Sequence, residues 1–286
     1  MMVKKNIIDT HIHIWDLEKA RYEWLDNDTS VLNRSYHLEE LLPEMSNTPV
    51  ASGILVQAAN NLEDTTLMLD TAGRHREIIA IVGWLPLMEP HKVQMLLEKQ
   101  FDKEPYFKGV RHLIHNESDP RWLLQPQVTE SLEMLASYHI PYDIVGINNE
   151  HLKTAIQVSE KIPSLRMVLD HLNQPPIKAG QRFGTWGELM KEIAANGNVY
   201  AKISGLGTAS GNPVGWTADD IAPYVGYALE VFGTDRCFLG GDWPVSTLAG
   251  SYGTHWEKYT GIINTLLNDE DAEKVYYMNA SLFYNL

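Results

Sequence analysis

The stretch IIDTHIHIWD, residues 7 to 16, sets Asp9, His11 and His13 at every second position of an otherwise apolar run. Alternate side chains of an extended segment share one face, so the three polar groups point the same way. Two neutral imidazoles two residues apart make half of a site for a divalent ion such as zinc. The other half would come from His171 in VLDH and Asp242 in GGDWP, each closing another apolar run. Three imidazoles and one carboxylate suit metal binding, carbonyl polarisation and proton transfer. The plainer alternative is a hydrogen-bonded polar cluster, which one histidine alone would favour; four groups converging from separate strand ends favour a site. Asp9, one step earlier on the same face, reads as support for the histidines rather than as a reactant.

Such convergence needs several strands with their ends on one side. Eight short β-branched or aromatic runs recur: from Asn6, Val50, Ile78, Phe107, Ile140, Leu165, Val199 and Arg236. Most are apolar nearly throughout, as expected of parallel strands covered on both faces. Amphipathic helical stretches separate them, among them SYHLEELLPEM with Ser35 as its cap, NLEDTTLMLDTAGRH, and TESLEMLASYH with Thr129 near its start. Eight alternations of strand and helix predict one (β/α)8 TIM barrel over residues 1–286, a single domain, with DEDAEKVYYMNASLFYNL as an extra C-terminal helix.

Barrel chemistry sits at the C-terminal ends of the strands. The groups there are His11 and His13; Gln57; Trp84; Arg111, His112 and His115; Asp143; Asp170 and His171; Lys202 and Ser204; Asp242 and Trp243. The longest insertion, DLEKARYEWLDNDTSVLNRSY, follows the first strand, where Trp15, Tyr22 and Trp24 would either line a ligand site or anchor the loop. His37, His75, His91, His139 and His151 fall on helices or loops and read as surface residues. SGLGTASG lacks the dinucleotide-binding spacing because Ser210 stands where its last glycine belongs, so it reads as a flexible loop. No nucleophile elbow, Walker loop or Cys/His nucleophile pair occurs.

The bulk properties exclude other classes. The 286 residues are 44% hydrophobic and 21% charged, a globular balance. A net charge of −14 without a basic block argues against nucleic acid. No run has signal-peptide or membrane-spanning character, and the lone Cys237 reads as a small buried apolar group, so a cytoplasmic protein is expected.

DTHIHIWD, YEWL, GILVQA, IVGWLPL, FKGVRHLIH, VLDHLNQPP, AKISGL, GGDWPVS and NASLFY, in this order along nearly the whole chain, make the sequence similar to the amidohydrolase superfamily. It resembles specifically the amidohydrolase-2 branch that holds the sugar-acid lactonases, hydrolases that open cyclic esters. The resemblance places His11, His13, His171 and Asp242 on the family's core positions, with Arg111 on strand four. It departs in strand five, YDIVG, which lacks the histidine of the two-metal enzymes. One divalent ion, zinc or manganese, on His11, His13, His171 and Asp242 is therefore expected, with metal-independent catalysis the alternative.

That resemblance implies a small-molecule substrate, a sugar lactone, and leaves a homo-oligomer open. Asp242 would activate water, His171 and Arg111 would serve the reacting carbonyl, and Trp24, Gln57, Trp84, His112, Asp143 and Trp243 would shape the substrate pocket. A metal-dependent amidohydrolase or decarboxylase, and a non-catalytic sugar-acid binding protein, are the rival readings.

Overall fold

A computed structural model describes residues 7–101, 103–180 and 182–286. Eight parallel strands follow one another in sequence order: β1 (Ile7–Ile12), β2 (Val50–Val56), β3 (Ile78–Gly83), β4 (Phe107–His112), β5 (Tyr142–Ile144), β6 (Met167–Leu169), β7 (Val199–Ile203) and β8 (Cys237–Leu239). The barrel closes just beyond the last strand. An Ile12–Trp243 bridge joins its ends, the Trp243 carbonyl accepts from the His13 N–H at 2.7 Å, and the His11 carbonyl accepts from the Asp242 N–H at 2.7 Å. This closure draws His11, His13 and Asp242 together before any side-chain contact forms.

Among the described residues the helices are α1 (Leu38–Ser46), α2 (Leu62–Ala72), α3 (Pro90–Leu96), α4 (Pro126–Ser137), α5 (Asn149–Lys161), α6 (Gly184–Ala194), α7 (Leu206–Ala209), α8 (Ala218–Phe232), α9 (Tyr252–Leu266), α10 (Asp269–Glu273) and α11 (Asn279–Tyr284). None is long and apolar enough to cross a membrane. The α/β TIM barrel expected from the sequence is the architecture observed.

Two apolar clusters hold it. The larger lies between strands and helices; the smaller joins Ile8, Ile54, Val56, Ala80, Val82, Val168 and Phe238 from the strands with Ala280, Phe283 and Tyr284 of α11. Alternation explains the split, because successive strand residues face opposite sides. The expected C-terminal helix is present as α10, a π-turn over Lys274–Met278, and α11.

Local details differ from expectation. Helix α1 is capped by His37 in a box with Glu40, while the Ser35 hydroxyl accepts from the Leu17 N–H at 3.0 Å, because extended backbone at His37 delays the helix. Helix α4 begins at Pro126, so Thr129 lies inside its first turn and is buried. SGLGTASG contains α7 rather than only loop. His151 is buried, not a surface residue: its Nδ1 accepts from the Ile147 N–H at 3.1 Å.

Candidate active site

A cavity of about 420 Å³ opens at the C-terminal ends of the strands. His13, Arg111, His171 and Asp242 form its inner lining; Trp15, Trp24 and Leu32 come from the insertion after β1. The insertion is pinned in place. Trp24 Nε1 donates to the Ala58 carbonyl at 2.8 Å, and the Tyr22 hydroxyl donates at 2.9 Å to Asp64, whose other oxygen accepts from the Ala58 N–H. Trp15 and Trp24 therefore line the cavity, whereas Tyr22 anchors the loop.

Backbone strain delivers two of the cluster residues. His171, Leu172, Asn173 and Gln174 all have φ between 50° and 54°, a left-handed turn that non-glycine residues rarely adopt. It lets the consecutive Asp170 and His171 both serve the barrel interior, which a continuing strand would not permit. The Trp186 indole, donating to the Leu172 carbonyl at 2.8 Å, and the Asn173 amide, donating to the Asn148 carbonyl at 3.1 Å, hold the turn. Asp242 also has positive φ, 57°. Gly205, at φ +63°, passes so close behind the site that a Cβ there would stand 2.6 Å from His171 Nδ1 and 3.0 Å from Asp242 Oδ2.

The side chains converge on one point. His11 Nε2 and His13 Nε2 are 3.1 Å apart, and Asp242 Oδ1 lies 3.6 Å from His13 Nε2, 3.9 Å from His11 Nε2 and 4.0 Å from His171 Nε2. Donors around one tetrahedral zinc at its usual bond lengths sit about 3.3 Å apart, so the spacing suits a single ion. His13 Nδ1 lies 2.7 Å from the Val56 carbonyl, which can only accept; the hydrogen is on Nδ1 and the Nε2 lone pair faces the cluster. His171 Nδ1 has the Ser204 hydroxyl at 2.8 Å. Burial holds His11 well below its ordinary pKa, and burial lowers His13 too. His11, His171 and the Asp242 carboxylate make a donor set that fits one divalent ion, with His13 alongside.

Burial would push the Asp242 carboxyl up, but the surrounding imidazoles, His171 foremost, outweigh it and hold the group well below the usual carboxylate range. Beneath the cluster lies a second layer of charge. Fully buried Lys202 reaches Asp143 at 2.6 Å and Asp170 at 2.8 Å, and stands 3.3 Å from His11 Nδ1. Arg111 donates to Asp170 at 3.1 Å and to the Gln57 carbonyl at 2.6 Å, with NH1 3.3 Å from His11 Nε2. Burial pushes Asp143 up to about 6 despite Lys202, while Lys202 and His11 overcome burial to hold Asp170 well below its ordinary value.

Of the six side chains expected to shape the pocket, Trp24 lines the cavity and five do not. Asp143 lies in the layer below, bound by Lys202 and by the Tyr284 hydroxyl at 2.7 Å. Gln57 is fully buried. Trp84 donates to His112 Nδ1 at 2.9 Å, His112 Nε2 meets Glu117 at 2.8 Å, and that imidazole stacks on Trp122. Trp243 packs edge-on against Tyr36. Each sits too low or too far outward along its strand end, a depth that residue type does not reveal. Conversely, His115, Gln174 and Thr208 line the cavity without having been assigned to it.

This chain is 29% identical over 285 residues to a protein named L-fucono-1,5-lactonase from Burkholderia ambifaria, covering 98% of this chain and 95% of that one. A crystal structure of an amidohydrolase from Burkholderia multivorans with bound HEPES superposes with a TM-score of 0.90 at 27% identity, over 98% of this chain and 99% of the other. A second crystal form of that amidohydrolase, with bound zinc, gives a TM-score of 0.88 at 26% identity over the same shares. Residues 8–286 match the Amidohydrolase family along almost their entire length, and the chain belongs to that family.

Proposed function

We propose that the chain hydrolyses the lactone of a sugar acid. The observation that carries this reading is Asp242: an ionised carboxylate lining the cavity, with the Nε2 atoms of three histidines 3.6–4.0 Å from one of its oxygens. The similarity to a protein named L-fucono-1,5-lactonase supports the choice of a cyclic ester over an amide.

The lactone carbonyl lies toward His171 and Arg111, and a water stands between its carbon and Asp242. Asp242 takes a proton as the water oxygen bonds to the carbonyl carbon. The carbonyl oxygen becomes an oxyanion, stabilised by the guanidinium of Arg111 and by any histidine N–H facing it; losing one such donor costs about 3–4 kcal/mol of barrier. Collapse breaks the bond from carbon to ring oxygen, and the Asp242 carboxyl returns its proton to that oxygen as it leaves. The product acid ionises at neutral pH, so each turnover releases one proton. A carboxylate held this far below the working pH is a weak base. It is ionised in the resting enzyme, and its capacity to take the proton depends on the polarisation of the carbonyl. A divalent ion on His11, His13, His171 and Asp242 would supply Lewis-acid polarisation.

A panel of 1,4- and 1,5-aldonolactones, followed by proton release in weakly buffered indicator and by chromatography of the acid, tests the proposal. Acid release at a rate well above spontaneous opening is expected. Lactone binding without acid release, or turnover confined to amides or carboxylated aromatics, overturns it.

A further inference from the structure

His115 lies on the 3-10 turn Ile114–Asn116 that follows β4, and its ring lines the cavity. In a barrel whose strands run in sequence order, the β4 to β6 ends stand across from β1 and its insertion. The β1 side contributes Trp15, Trp24 and Leu32, which offer apolar surface; hydroxyl groups of a ligand must find their partners elsewhere.

Those partners are few. Asp242 is the one carboxylate among the described residues lining the cavity, and it is engaged by the histidine cluster. The remaining neutral groups able to accept a hydroxyl hydrogen there are His115, Gln174 and Thr208. The Thr208 hydroxyl donates to the Gly205 carbonyl at 2.7 Å, which fixes its hydrogen and leaves its lone pairs as a second acceptor beside β7. The Gln174 side chain is exposed. His115 is different: burial, aided by the charge of Arg111, lowers its pKa to about 4, so the ring is neutral, and its backbone partner is Val145. A carbonyl takes the one N–H of a neutral imidazole, and the other nitrogen keeps a bare lone pair. Nδ1 is enclosed in the wall, out of a ligand's reach. Nε2 is not enclosed, and no hydrogen bond from another described side chain occupies it, so it is the nitrogen open to the cavity. An acceptor open at the wall of a binding cavity loses water when a ligand covers it, a cost that a ligand donor removes.

We infer that His115 accepts a hydrogen bond from one hydroxyl of the bound sugar lactone and thereby selects substrates that carry it. The inference rests on the lactonase reading for its choice of ligand, and it assigns a specificity role rather than a catalytic one. A site built around such a bond discriminates strongly against an analogue lacking the donor, because the acceptor is then buried unpaired.

The test compares wild type, His115→Leu and His115→Asn. For each protein, kcat/KM is measured on hexonolactones and on their monodeoxy counterparts, and calorimetry measures binding of the matching lactams, which keep the hydroxyls but resist hydrolysis. In the wild type, removal of one particular hydroxyl is expected to cost about tenfold or more in either quantity. In His115→Leu that penalty falls to about twofold while the penalties at other positions persist. His115→Asn, which retains an acceptor and guards against a misfolded leucine variant, recovers part of it. A uniform loss across all ligands in both variants, unchanged ratios, or lactams that do not bind the wild type overturn the inference. Wild-type inactivity on every lactone, with the hydroxyl-specific pattern intact in lactam binding, defeats the lactonase reading and leaves His115 as a reader of polyol ligands.

Discussion

Gly205 and His171 are packed back to back: a single methyl group on the glycine would come within 2.6 Å of the imidazole Nδ1. The same methyl would stand 3.0 Å from Asp242 Oδ2, and the glycine φ of +63° already disfavours any side chain. Gly205→Ala is therefore expected to displace both cluster residues. Stability should fall by about 1–2 kcal/mol, and lactone turnover by about a hundredfold or more. Denaturant unfolding and steady-state kinetics on the same preparation read the two effects, and unaltered turnover would contradict the placement of the cluster.

Replacing Asp242 by Asn removes the proton acceptor while keeping shape. Turnover should fall by at least about a thousandfold, with lactam binding retained within about threefold. Zinc titration of metal-depleted protein is expected to show one site per chain in the wild type and affinity at least about tenfold weaker in the variant. An Asp242→Asn enzyme of undiminished rate would end its assignment as the base.

Lys202 pairs with two buried carboxylates, Asp143 and Asp170, from a fully buried position. Lys202→Met leaves both without their ammonium partner, and a broken buried pair of this kind costs about 3–5 kcal/mol. A shift of less than about 1 kcal/mol in chemical denaturation would mean that the layer beneath the cluster contributes little to the fold.

Asp64 carries a pH signature of its own. Burial raises its carboxyl from 3.8 to about 6, against the backbone N–H groups of Ala58 and Ala59 and the Tyr22 hydroxyl. Between those two values the unfolded chain binds fewer protons at this site than the folded one, so its contribution to stability is full below about pH 4 and lost as pH rises through about 6. The stability of wild type relative to Asp64→Asn should therefore be greater at pH 4.5 than at pH 7.5. Other buried carboxyls are common to both proteins and cancel. A difference that is flat, or that grows with pH, refutes the account.

The sequence shows the strands clearly because parallel strands buried on both faces become continuous apolar runs. It also shows His11, His13, His171, Arg111 and Asp242, since polar groups closing such runs are conspicuous. Depth along the barrel axis is not written there. Asp143 and Lys202 sit at strand ends in the sequence, yet pair with each other one layer below the cavity. Gln57 and His112 also close apolar strands, and their side chains turn toward buried surroundings. Nor does the residue pattern reveal the left-handed turn at His171–Gln174, because none of its four residues is a glycine. The burial of His151 is hidden in the sequence for a related reason: a polar residue on an amphipathic helix looks solvent-facing until the loop whose N–H it accepts is in place.

The tether of the long insertion, through Tyr22 to Asp64 and Trp24 to the Ala58 carbonyl, has a kinetic meaning. A wall tethered at two points is complete before any ligand arrives. Binding then carries little ordering entropy for this segment, and encounter rates should follow solvent viscosity and ligand size rather than the opening of a gate.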